Sequence, residues 1–197
     1  MKQDYTHLCI ILDASGSMES IRSETIKNFN AFLETQKKES GITIVDLFQF
    51  NDNTERVVTK ANLAQYHSNL HKKYQCDGCT ALYDAICIGV DTLGKEFSAM
   101  QESERPANVM VAIITDGYEN ASRRFSQRDA FDRIKLQRDV YSWEFVFLAA
   151  NQDSFLAGEQ IGMNKQDCYD FTADDKGMKE VCECLCERAD RTRQRKR

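Results

Sequence analysis

Asp13, Ser15 and Ser17 alternate at the end of the hydrophobic run Ile10-Ile11-Leu12. An apolar run bounded by small polar residues reads as a buried strand emptying into a loop. On such a loop, residues two apart can point the same way, so one carboxylate and two hydroxyls converge. Oxygen donors meeting at one point suit a hard cation such as Mg²⁺, which takes near-octahedral geometry at about 2.0–2.1 Å. Gly16 supplies the backbone freedom of a tight turn. A plainer role competes with this one: Asp and Ser are good helix N-caps and would then simply start the next helix.

Two further segments carry residues that capping does not explain. Gly78-Cys79-Thr80-Ala81-Leu82-Tyr83-Asp84 places Thr80 at the mouth of an amphipathic helix, and Val109–Thr115 is a second apolar run, ending in Asp116-Gly117. Asp-x-Ser-x-Ser, then Thr, then Asp-Gly after a β run resembles the von Willebrand factor A domain and its metal-ion-dependent adhesion site. The five residue types fall in order on Asp13, Ser15, Ser17, Thr80 and Asp116, with none missing.

The resemblance implies that Ser15 and Ser17 bind a divalent cation through their hydroxyls. Thr80 would join directly or through water, while Asp13 and Asp116 hold coordinated waters. Neutral hydroxyls leave most of the cation's charge uncancelled, so one open position accepts water or a carboxylate from outside. The implied activity is binding, with Mg²⁺ (or Mn²⁺ or Ca²⁺), to a partner protein that presents an exposed Asp or Glu. Met18, Glu19, Tyr118 and Glu119 would form the rim. Phe147-Leu148-Ala149-Ala150-Asn151-Gln152-Asp153 also resembles a segment of short bacterial and phage proteins of this kind.

Catalysis is the main rival. An Asp after a strand can accept a phosphoryl group beside Mg²⁺. A phosphatase of the haloacid dehalogenase type would carry a second Asp two residues on, where this chain has Ser15. No Gly-rich phosphate loop is present, and His7, His67 and His71 all lie outside the motif segments. These features favour a non-enzyme. Thiol chemistry is the third reading: His67, His71, Cys76 and Cys79 are four donors for zinc, or Cys76 and Cys79 form a redox disulfide beside Thr80. In the C-terminal stretch, Met178, Val181, Cys182, Leu185 and Ala189 repeat at helical spacing, which puts Cys182 in the core and Cys184 elsewhere.

The elements that must position these residues alternate. Strands are expected near 7–13, 42–50, 55–59, 108–115, 143–150 and 167–171, with 55–59 an antiparallel partner of 42–50 through an Asn51-Asp52-Asn53 turn. Helices are expected near 19–38, after Thr80, near 127–140, at 155–162 and over 174–190, and 61–72 reads as a short helix or irregular segment. That order predicts an α/β, Rossmann-like fold with a central, mainly parallel sheet, one antiparallel edge strand and helices on both faces. In such sheets ligands bind at the carboxyl ends of strands, where Asp13 and Asp116 stand.

The chain's 197 residues suit one domain, expected over 1–187, followed by a basic tail over 188–197. The tail holds six basic side chains against Asp190, so the body is more acidic than the overall charge of −5. An acidic body argues against nucleic acid as a partner. No apolar stretch approaches the ~20 residues that span a bilayer, which argues against a membrane. Eight cysteines without the density of a small secreted scaffold, and an N-terminus unlike a signal peptide, point to the cytoplasm.

Overall fold

The computed structural model describes residues 1–195. Strands and helices alternate as β1 (Lys2–Asp13), α1 (Arg22–Gln36), β2 (Ile42–Phe50), β3 (Thr54–Asn62), α2 (Leu70–Lys73), α3 (Leu82–Ala99), β4 (Pro106–Thr115), α4 (Gln127–Tyr141), β5 (Glu144–Ala149), α5 (Ser154–Gln160), β6 (Cys168–Asp170) and α6 (Asp175–Gln194). The strands form one sheet in the order β3-β2-β1-β4-β5-β6. Every neighbouring pair is parallel except β2 with β3.

Strand alternation divides the core into two layers. Leu8, Ile10 and Leu12 of β1 face Phe29, Phe32 and Leu33 of α1 and Met178, Val181 and Leu185 of α6. Cys9 and Ile11 face Ile86, Val90 and Leu93 of α3 and Ala130 and Ile134 of α4. The sheet is therefore covered on both sides, as a parallel sheet of apolar strands requires. Winding reverses between β1 and β4, so a crevice opens beyond their carboxyl ends. The expected fold class is the observed one.

Several boundaries differ from the hydropathy reading, each for a physical reason. β1 begins at Lys2, because its polar, exposed start pairs with Pro106 and Ile42 by backbone alone. Pro106 opens β4 rather than preceding it; a first strand position tolerates a residue without N–H. The first helix is split, with a 3₁₀ turn over Gly16–Ile21 before α1. Cys182, Cys184 and Cys186 are all half-buried against the core, so the expected contrast between Cys182 and Cys184 is absent.

The largest correction concerns the basic segment. Residues 188–194 continue α6 instead of forming a separate tail. Arg188 is only 5% exposed, and its guanidinium donates to Asp167 (2.5 Å) and to the carbonyl of Phe145 (3.3 Å). Ala189 and Thr192 are buried with it. A run of arginines conceals an amphipathic face because a paired Arg can be buried. The remainder of the expected tail, Lys196 and Arg197, lies outside the described residues.

One charged group in the sheet is fully compensated. Asp46 on β2 is wholly buried and accepts from His7 Nε2 (2.7 Å), Arg56 Nε (2.8 Å) and the Lys60 amide (2.8 Å). Arg56 also grips Glu96 through both terminal nitrogens, at 2.7 and 3.0 Å. Burial alone would raise the Asp46 pKa, but the bonds from His7 and Arg56 outweigh it and bring it down to about 2. A depressed carboxylate stabilises the fold above its unfolded pKa of about 3.9, and that contribution, about 2–3 kcal/mol, disappears as pH falls through about 2. Urea titrations between pH 7 and pH 2 should show this loss in the wild type. Asp46→Asn should be destabilised by about 3 kcal/mol at pH 7 and lack that part of the acid-limb slope; an unchanged slope would contradict the assignment.

Candidate metal centre

β1 delivers Asp13 at its last position, and the 3₁₀ turn that follows presents Ser15 and Ser17. The Asp13 carboxylate accepts from the Ser15 amide (2.7 Å) and from Thr115 Oγ1 at the end of β4 (2.6 Å). Ser15 Oγ and Ser17 Oγ are 3.1 Å apart, and Ser17 Oγ donates to Asp116 Oδ1 at 2.5 Å. Gly117 places Thr80 in the same group. A Cβ on Gly117 would stand 3.2 Å from Thr80 Oγ1 and 3.7 Å from Ser17 Oγ. All five residues singled out in the sequence thus meet at the switch point of the sheet. Helix capping does not describe them, since Ser15 occupies the N-cap position of its turn without a side-chain cap bond.

Residues outside the five candidate donors hold this arrangement. Tyr74, wholly buried, donates its hydroxyl to the Asp13 carbonyl (2.5 Å), and the Asp77 amide reaches the Ala14 carbonyl (3.0 Å). Together they clamp the segment leading to Thr80 against the end of β1. The Gly16 amide bonds the Gly78 carbonyl (3.1 Å), and Gly78 has a φ of +71° that favours glycine. Asn120 brackets Thr80, accepting from its amide (2.9 Å) and donating to its carbonyl (3.0 Å). Asn151 and Gln152 bond the carbonyls of Asp116 and Gly117, at 3.2 and 2.9 Å. The Phe147–Asp153 stretch noticed in the sequence thereby acquires a role in fixing the Asp116 loop.

Two rim assignments change. Met18 is wholly buried in the core and belongs to no rim. Glu119 turns inward and accepts from the amides of Tyr83 (3.0 Å), Ala121 (2.9 Å) and Ser122 (2.7 Å). Glu19 and Tyr118 are exposed as expected.

The electrostatics fit a cation. Asp13 is wholly buried and Asp116 nearly so, and among the described residues no Lys, Arg or His pairs with either. Burial pushes Asp13 up to about 6 against the hydrogen bonds from Thr115 and Ser15, and burial also raises Asp116. Such carboxylates are costly to ionise without a compensating charge. The donor set is all oxygen, which suits Mg²⁺, Mn²⁺ or Ca²⁺. Ser15, Ser17 and Thr80 would hold the ion, with Asp13 and Asp116 behind them. The zinc alternative does not assemble. Among the described residues, no three of His, Cys, Asp and Glu cluster to hold a metal. Cys76 and Cys79 are free thiols, and burial pushes Cys76 up to about 11, away from a reactive thiolate.

A six-stranded α/β sheet with these loops at its switch point is the von Willebrand factor A fold, and solved structures bear out that likeness. Proximal thread matrix protein 1 from the mussel byssus, with a zinc-occupied MIDAS motif, aligns over 94% of this chain and 48% of its own, at 13% identity and a TM-score of 0.65. A von Willebrand factor type A protein from Catenulispora acidiphila aligns over 94% and 43%, at 12% identity and a TM-score of 0.62. The manganese-loaded TRAP protein of Plasmodium vivax aligns over 94% and 75%, at 14% identity and a TM-score of 0.58. The chain thus spans less than half the length of the first two. No protein-family model and no curated protein matches the sequence.

The raised pKa of Asp13 sets a pH signature. Without a divalent cation, stability should decline as pH rises from about 4 through 6, because the folded state holds its proton more tightly than the unfolded chain. Stabilisation by Mg²⁺ should grow over the same window as the carboxylate ionises. For a dissociation constant of about 1 mM, about 10 mM Mg²⁺ adds about 1.4 kcal/mol, or about 3–6 °C in Tm. Thermal melts of wild type and Asp13→Asn at pH 5 and pH 7.5 check this. The variant should lose the apo pH dependence, and a wild-type shift equal at both pH values would contradict it.

Proposed function

We propose that this domain is a divalent-cation-dependent protein-binding module whose metal offers an open position to an Asp or Glu carboxylate of its partner. One observation carries the reading: two buried carboxylates and three hydroxyls converge at the sheet's switch point with no cationic side chain among them. The zinc-occupied and manganese-loaded structures of similar fold support a divalent ion at this place, with Mg²⁺ our first choice. Hydroxyl donors leave the ion electron-poor, so an outside carboxylate gains more there than at a site whose charge is already cancelled.

The geometry favours binding over turnover. A phosphoryl-accepting Asp needs an accessible carboxylate, whereas Asp13 is buried with its two oxygens engaged by the Ser15 amide and Thr115. His7 is committed to Asp46. All eight cysteines are free, which supports a reducing, cytoplasmic setting. Among the described residues no helix is long and apolar enough to cross a membrane.

Thr80→Ala separates binding from folding. Asn120 bonds only the Thr80 main chain, and Ala81 is the residue at the α3 N-cap. Loss of the hydroxyl should therefore cost less than about 1 kcal/mol while abolishing cation-dependent association. A pull-down with Mg²⁺ or EDTA checks this: EDTA should mimic Thr80→Ala, and Cys79→Ser, an exposed neighbour, should bind as wild type. Loss of binding in Cys79→Ser but not in Thr80→Ala would move the functional centre to the thiols and overturn the proposal.

A further inference from the structure

The exposed, unpaired charge around the metal centre is unevenly placed. On the β2 side stand the exposed acids Asp52 and Asp77, held by the Cys79 amide (2.9 Å) and by Asn51 Nδ2 (2.5 Å), with exposed Glu19 beside Ser17. The loop that follows β4 is different. It carries exposed Arg123 and Arg124, and among the described residues neither makes an ion pair. The acids stand at the end of β2 and on the segment before Thr80, whereas the arginines stand on the post-β4 loop docked on the first turn of α3.

That basic loop is built rather than slack. Asp84, in the first turn of α3, accepts from the amides of Arg123 (3.0 Å), Arg124 (3.1 Å) and Phe125 (2.8 Å). Glu119 ties the same loop to the Tyr83 amide, three residues beyond Thr80. Asp84 is spent on main-chain amides, and Glu119 on main-chain amides and the Ser122 hydroxyl (2.7 Å), so they hold the loop while leaving the guanidinium groups to solvent. Arg124 lies over the Phe125 ring at 5.5 Å, which restrains it at little entropic cost. Beside it, Tyr83, Ser122, Arg123, Arg124 and Phe125 line an open hollow of about 550 Å³, whose two acids are engaged, Glu119 by main-chain amides and Ser122, and Asp129 by Ser126 and Arg133.

We infer that the recognition element of the partner is an acidic peptide segment: one carboxylate meets the metal, and neighbouring acids lie against Arg123 and Arg124. The inference rests on the proposed metal-dependent binding and adds its partner class and polarity. The segment leaves the metal toward the post-β4 loop, since Asp52, Asp77 and Glu19 repel it from their own flank. These acids also disfavour a nucleic-acid backbone, which would cross the whole face with regularly spaced charge.

The probe is a fluorescent hexa-aspartate peptide, compared by anisotropy with a Gly-Ser peptide carrying one Asp, at low salt with Mg²⁺. Hexa-aspartate should bind at least about 10-fold tighter, with an advantage that shrinks as salt rises. Arg123→Ala/Arg124→Ala should remove about 5-fold or more of that advantage and keep the wild-type Mg²⁺ thermal shift, because Asp84 grips only main-chain amides. No hexa-aspartate binding by the wild type, equal binding of the two peptides, or an unaffected double variant would overturn the inference. So would a single-stranded DNA oligonucleotide of equal charge that binds as tightly. Failure of the underlying reading looks different: hexa-aspartate binding that depends on the arginines but survives EDTA and Thr80→Ala would leave acid recognition without a metal.

Discussion

Asp13 ends the central strand in a place where a carboxylate has no cheap way to be charged. It is buried, its neighbour Asp116 is an acid, and among the described residues no basic side chain reaches either. Only hydroxyls and amides face them, and those leave the Asp13 pKa near 6. Everything around the switch point follows from this constraint. The loops must hold two acids and three hydroxyls at fixed spacing, and an external cation is the natural remedy for their charge.

The same sheet shows what the protein does when it wants a buried acid neutralised from within. Asp46, on the strand beside β1, has His7, Arg56 and the Lys60 amide as partners, and its pKa falls to about 2. Arg188 is treated likewise, with Asp167 and a main-chain carbonyl. Structural charges are thus closed by internal partners. The charge at the end of β1 is left open, and that contrast within one molecule is the physical basis of the proposed metal centre.

Three loops converge on the centre, and side-chain to main-chain bonds fix each of them. Tyr74 secures the segment before Thr80, Asn120 secures Thr80 itself, and Asn151 and Gln152 secure the Asp116 loop. Donors aimed at the backbone fix position without filling the centre, so the hydroxyls stay available. Asp84 and Glu119 extend the same economy to the loop that carries Arg123 and Arg124.

Much was legible in the chain itself. Apolar runs ending in Asp13 and Asp116, with helical periodicity between them, determined an α/β sheet and the order of its elements, because burial demands those patterns. The five candidate donors were legible through the resemblance of their order to a known adhesion-site motif. Some matters were not legible. Polar residues 2–5 gave no sign of extending β1, and the basic run from Arg188 hid a buried helical face, since partners distant in sequence decide whether charge can be buried. Met18 and Glu119 followed the motif closely yet point into the core and into the backbone. Tyr74, Asn120 and Asp84 act through contacts 39 to 61 residues away, and no local pattern encodes such a bond. The sequence by itself determined which five residues are candidates for the chemistry. Only the tertiary structure decided that they meet, that among the described residues no basic side chain meets them, and where the arginines stand, because proximity across separate strands is a property of packing and not of spacing.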